Sequence, residues 1–255
     1  MDIKNIASAE LQISNSIRKV TPMLIGEIPG ASVYHHVLLK NDRVQFLPDE
    51  LSIRILFLCQ GEITIAAGGR EYKYNEKAVF IPGLHQRTDI TAADTAYILE
   101  IQWVLIPQER EALIASGATF PFTERYIDAV QYRDPFKSEK TISRAIVPQR
   151  ILPRFAMGSV ETYGEDLIGQ HAHPLLDQFF FSFAENDMDL LLDDISYPMK
   201  GNTLLHIPFS SNHGVRVTGN QCAHYIWIDF IFNEEGLDFL DKTHKRTGEK
   251  KSFNP

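Results

Sequence analysis

A repeat of half the chain length constrains this fold more than any other feature of the sequence. In the first half, Gly61-Glu62 opens an apolar run, Tyr72 follows a turn, and Phe80-Ile81-Pro82 leads to His85. In the second half, Glu185-Asn186, Tyr197 and His206-Ile207-Pro208 come in the same order and lead to His213. The length, 255 residues, is enough for one large core or two small ones. Two similar units, one per half, fit the repeat best.

The units read as β. Ser32 to Leu39, Ser52 to Leu58, Glu62 to Ala67, Lys77 to Ile81 and Thr95 to Val104 are short runs rich in Val, Ile, Leu, Phe and Tyr. Lys40-Asn41-Asp42, Gly68-Gly69 and Pro82-Gly83 punctuate them as turns. Pro107 suits the first turn of a helix, residues 108–116 are good helix formers, and Gly117 suits its stop. Residues 118–141 read as an irregular connector. Strand signals resume from Ile142 to Phe232, and a short helix with a polar tail is expected from about Asn233. Many short, evenly spaced strands imply a barrel or jelly roll.

The chemistry concentrates in Gln170-His171-Ala172-His173-Pro174-Leu175-Leu176-Asp177-Gln178. Strand residues two apart point the same way, so His171 and His173 can present both imidazoles to one ion. Gln178 can add a ligand after the turn at Pro174, and His213 can add another from a later strand. Neutral imidazoles with a side-chain oxygen suit a first-row divalent metal such as Fe, Mn, Zn or Ni.

This pattern resembles the cupin superfamily, whose first motif is an H-x-H followed by a glutamate and a glycine. Its second motif is a glycine, then P-x-G and a histidine. His171-Ala172-His173 matches the H-x-H, Gln178 stands at the glutamate position, and Glu185 stands at the glycine position. Gly201, Pro208 and His213 follow the second motif with one extra residue between Gly201 and Pro208, Ser210 for glycine, and Val217 where the motif closes on an asparagine. The resemblance spans both halves and implies an all-β chain of two tandem cupin barrels, each a double-stranded β-helix or jelly roll, with a short linking helix. The implied bounds are an N-terminal segment 1–19, a degenerate barrel 20–105, a helix and linker 106–141, a metal-binding barrel 142–232, and a helix and tail 233–255. The implied metal set is His171, His173, Gln178 and His213. Asp177 is the alternative to Gln178. With Gln178 as ligand the protein supplies no negative charge, and the ion should attract an anion.

In the first half Leu47 and Asp49 fall where the H-x-H would be, Arg54 falls at the glutamate position, and only His85 remains. Arg54 would repel an ion and could pair with Asp49, or it could hold a ligand carboxylate bidentately. Phe179, Phe181 and Phe183 are expected to face away from the lumen and to need cover, between barrels or in a homodimer. Glu161, His224 and Tyr225, with Arg54, are the candidate substrate-binding residues. No residue stands out as catalytic.

Composition excludes several classes. No apolar run approaches the roughly 20 residues that span a bilayer, and Met1-Asp2-Ile3-Lys4-Asn5 does not open a signal peptide. A cytoplasmic protein without membrane contact is expected. The formal net charge is −8. Apart from Lys242, Lys245, Arg246, Lys250 and Lys251, read as a solvated tail, the basic residues are scattered, which argues against nucleic acid. No phosphate loop, dinucleotide fingerprint or nucleophile elbow occurs. What remains is a metal-dependent enzyme on a small polar or carboxylate-bearing metabolite, with the metal as Lewis acid. The alternative is a non-catalytic sugar- or carboxylate-binding sensor.

Overall fold

Alternation of buried and exposed residues along short strands sets the architecture. Ile63–Ala67, Thr88–Ala92 and Asp187–Leu192 bury every second residue, as strands with one face on a core must. Ala96–Val104 and Cys222–Ile231 are buried on almost every residue, as central strands are. The structure, a computed structural model, describes residues 6–12, 16–243 and 245–246, with 243, 245 and 246 described by backbone alone. Lys250 and Lys251 lie outside the described residues. All described strand pairs are antiparallel.

The chain divides into two compact units, residues 12–128 and residues 129–255 with 1–11. In the first, a six-stranded sheet runs in the order Phe122–Arg125, Ala78–Ile81, Ser52–Gln60, Ala96–Val104, Ala31–Leu38, Lys19–Met23. A four-stranded sheet of Arg43–Phe46, Thr88–Ala92, Ile63–Ala67 and Arg70–Tyr74 packs against it. Leu56, Phe80 and Ile98 from the larger sheet and Ile63, Ile65 and Ile90 from the smaller share one core.

The second unit repeats the order. Thr203–Ile207, Leu176–Ser182, Cys222–Ile231 and Phe155–Tyr163 lie side by side in an eight-stranded sheet. Asp166–His171, His213–Val217, Asp187–Leu192 and Ile195–Lys200 form the smaller sheet. Val160, Phe180, Tyr225 and Trp227 meet Ile168, Leu190 and Val215 in the core between them. The repeat extends to register: Arg54 pairs with Gln102 as Gln178 pairs with Asp229.

The connector is more structured than its sequence suggests. A helix, Pro107–Ala115, begins with Pro at its first turn, and the Glu109 carboxylate accepts from the Ile106 N–H at 2.9 Å. Gly117 follows it at φ +67°, the left-handed conformation that favours glycine after a helix. Beyond it, Phe122–Arg125 adds an edge strand to the first unit and Val130–Arg133 one to the second. The N-terminal Ser8–Glu10 pairs with Thr203–Ile207 of the second unit. Near the end, a helix Glu234–Thr243 buries Leu237 and Leu240 in the second core, and Lys245–Arg246 pairs with the strand at 130–133. These short strands carry no apolar alternation of their own and form because a sheet edge offers them partners.

Phe179, Phe181 and Phe183 are all buried within the chain. Phe179 meets the rings of Phe230 and His206, Phe181 meets Phe183, and Phe183 meets His224, all in their own unit. No helix among the described residues is long and apolar enough to cross a membrane.

Candidate metal centre

The strand Asp166–His171 pairs with His213–Val217, and a register shift between Ile168 and His171 brings His171 opposite His213. His173 lies just past the strand end. Leu175, at φ +71°, turns the chain into Leu176–Ser182, which carries Gln178. Potential ligand atoms of His171, His173 and His213 all lie within 4.8 Å of one another. The ring centroids are 4.7 Å apart for His171 and His173, and 5.2 Å for each of those with His213.

Backbone carbonyls orient two of the rings. The Nδ1 of His171 is 2.8 Å from the Gly169 carbonyl oxygen, and the Nδ1 of His213 is 3.2 Å from that of Ser211. Donating there fixes the tautomer and leaves Nε2 of each ring with its lone pair available. Phe136 stacks on His171 at 4.3 Å and 5°. Burial lowers the His171 pKa, opposed by the Gly169 bond. Burial, with repulsion from His171, lowers that of His213 to about 3. Both rings are therefore neutral at pH 7, the form that binds a metal.

Gln178 lines the same cavity. Its Nε2 donates to Asp229 Oδ1 at 2.6 Å, while its buried Oε1 has no hydrogen-bond partner among the described residues. A buried acceptor without a partner is costly, and an ion beside it would supply the missing interaction. Three imidazoles and one amide oxygen form a donor set suited to a divalent transition metal. Asp177, the alternative ligand, is turned the other way and accepts from His206 Nε2 at 2.9 Å, as expected for a strand neighbour of Gln178.

Of the other sequence candidates, Tyr225 lines the cavity. His224 and Glu161 do not, which corrects the expectation that they face the ligand. Strand alternation is the reason: Tyr225, Trp227 and Asp229 point inward, so His224 points out, and Glu161 sits opposite it in register. His224 Nδ1 bonds Glu185, and Glu161 accepts from Arg144 at 2.6 Å. Arg54 lies in the first unit, on a closed network. Its Nε donates to Glu100 Oε1 at 2.7 Å, while Glu100 Oε2 is 2.6 Å from His36 Nε2 and Gln102 donates to Oε1 at 2.8 Å. This corrects the pairing with Asp49, which instead accepts from Ser52 and Leu51. The guanidinium is engaged by Glu100 through Nε and by the Leu47 carbonyl through Nη1 at 3.1 Å. Leu47 and His85 are exposed.

Three residues with carboxylate or ammonium groups line this cavity and were not among the sequence candidates. Asp229 is buried beside Gln178, and burial, opposed by the Gln178 bond, raises its pKa to about 7. Period-two counting from Tyr225 would have placed it inside. Asp134 and Lys137 also line the cavity. They come from the connector, where no local pattern marks them.

No family model matches the chain, and no curated protein matches it in sequence. Solved structures do match in fold. The "Putative Glyoxylate Induced Protein" of Pseudomonas aeruginosa has a TM-score of 0.71 at 11% identity, over 89% of this chain and 84% of that one. A cupin 2 conserved barrel domain protein of Leptotrichia buccalis has a TM-score of 0.60 at 12% identity, over 90% and 98%. A mutant form of oxalate decarboxylase from Bacillus subtilis has a TM-score of 0.67 at 11% identity, over 91% and 79%. The chain carries the cupin fold.

Proposed function

From the cupin fold and this cavity, we propose that the chain is a metal-dependent bicupin enzyme acting on a small, carboxylate-bearing metabolite. One cupin barrel would lie at about 20–105 and the other at about 142–232. The observation that carries the reading is the convergence of three imidazoles with the unpartnered oxygen of Gln178. His171, His173, Gln178 and His213 would hold one divalent ion, which would supply Lewis acidity toward substrate oxygens. The carbonyls of Gly169 and Ser211 hold two of the rings in the binding tautomer, Phe136 stacks on His171, and Phe180 and Trp227 line the cavity. Tyr225 and Asp229 are among the protic groups that line it. The carboxylate preference follows from the ligand set, in which no ligand carries a negative charge. Oxalate decarboxylases, among the fold relatives, are named for a small dicarboxylate.

Metal analysis by plasma mass spectrometry on wild type and His173→Ala tests the reading. Near-stoichiometric metal in wild type and its loss in the variant is the expected result; equal content in the two refutes the ligand set. A second reading, a binding or sensor protein without turnover, draws on the outward orientation of His224 and Glu161. Turnover of a carboxylate by the loaded protein would remove it. The reading extends to a cytoplasmic protein, monomeric or homodimeric.

A further inference from the structure

The connector places an ammonium group in the same cavity. Asp134 and Lys137 sit on one turn, with side chains only 3% and 9% exposed, and their charged groups are 3.3 Å apart. Lys137 Nζ also donates to Tyr132 Oη at 3.3 Å and lies 5.0 Å from the centroid of that ring. The turn is fixed to the histidine-bearing strand: the Gly169 N–H donates to the Phe136 carbonyl at 2.9 Å, and Ser138 Oγ to Asp166 at 3.0 Å. The turn holds Asp134 in turn, since the Phe136 N–H donates to its Oδ1 at 2.9 Å.

A buried ion pair is a poor stabilising device, because desolvation offsets its attraction. Beside a cluster of imidazoles it has another use. The cavity has room for only a few water-sized groups, so a ligand must be short and must displace something. Asp134 is a carboxylate already paired with the ammonium.

We infer that Lys137 is the specificity-determining residue for a short-chain carboxylate, and that Asp134 is the internal carboxylate which that ligand displaces. The inference rests on the metal-dependent reading and deepens it. The ligand carboxylate takes the place of the Asp134 oxygen on Lys137 Nζ and reaches toward His171 and His213. An uncharged ligand of the same shape gains nothing from the ammonium and does not displace Asp134.

Calorimetric titration of zinc-loaded protein with oxalate, malonate and the uncharged oxamide tests this. Lys137→Met should keep its zinc and bind the two carboxylates at least about tenfold more weakly, the order expected for losing a desolvated charge partner. Lys137→Arg should retain most of the affinity. Asp134→Asn, which removes the internal competitor, should bind the carboxylates more tightly than wild type, a gain that misfolding cannot produce. Oxamide should bind weakly to all. Equal carboxylate affinity in Lys137→Met and wild type would overturn the inference. So would oxamide binding as tightly as oxalate, or zinc lost from Lys137→Met. A wild type that takes up no zinc refutes the metal reading instead. The same titrations on zinc-free protein then decide the Lys137 pocket alone.

Discussion

Burial acts in opposite senses on two side chains of this molecule. His35 is 2% exposed, stacks on Tyr97, and has its pKa lowered to about 4 by burial and by repulsion from His36. The unfolded chain therefore binds a proton there below about pH 6.5 that the folded chain refuses. Its contribution is fully present above pH 6.5 and is lost as pH falls toward 4, on the order of 3 kcal/mol over that window. His35→Gln should flatten this acid limb in thermal melts, and an unchanged slope would contradict the assignment. Asp229 runs the other way. Its pKa of about 7 means that ionisation costs stability as pH rises from 4 to 7. In metal-free protein Asp229→Asn keeps an acceptor for Gln178 and removes the charge. It should raise stability at pH 8 by about 1–3 kcal/mol, with the gain fading toward pH 4. The spacing of His171 and His173 and the place of Gln178 were legible in the sequence because they lie in one short stretch, from the end of one strand through a turn into the next. The place of Asp229 was not, since the face of a strand buried on both sides cannot be read from polarity.

At the scale of elements, the site depends on how closely two strands approach. A Cβ on Gly214 would sit 2.5 Å from the Ile168 carbonyl oxygen and 3.0 Å from the Gln170 nitrogen. Backbone cannot yield there as a side-chain tip can, so Gly214→Ala must part the strands that bear His213 and His171. A stability loss of about 2–4 kcal/mol is expected, as for other overpacked positions. Zinc affinity should fall with it, read by chelator competition; unchanged affinity would show that the pairing does not hold the ligands. Strands such as Ile63–Ala67 were legible because alternation is local. Phe122–Arg125, Val130–Arg133 and Ser8–Glu10 were not, because edge pairing supplies what their own sequences lack. That is why the turn carrying Asp134 and Lys137 read as irregular chain.

Across the whole molecule, the half-chain repeat has kept its topology and register and changed its chemistry. Arg54 takes the position of Gln178, and Gln102 that of Asp229. The guanidinium is neutralised by Glu100, itself held below the ordinary carboxylate range: burial pushes it up, but the bonds from His36, Gln102 and Arg54 outweigh that. Phe46 covers the cluster, 4.8 Å from its ring centroid to Arg54 and 5.6 Å to His36. Where the second unit offers the unpartnered amide oxygen of Gln178 to a cation, the first offers a guanidinium, which has no lone pair to donate. Metal should therefore stabilise one unit selectively. With free zinc at about 100 times its dissociation constant, linkage predicts about 2.7 kcal/mol of protection, or roughly 100-fold slower exchange of amides that open only by unfolding the site. Hydrogen exchange followed by mass spectrometry, with zinc and with chelator, should show that slowing in Asp166–His171, Leu176–Ser182 and His213–Val217. Ser52–Gln60 and Ala96–Val104 should exchange alike in both conditions, and His173→Ala should erase the difference everywhere. Slowing around Arg54 and Glu100 to the same degree would mean that the first unit also takes the ion, and would overturn the division of roles between the two halves.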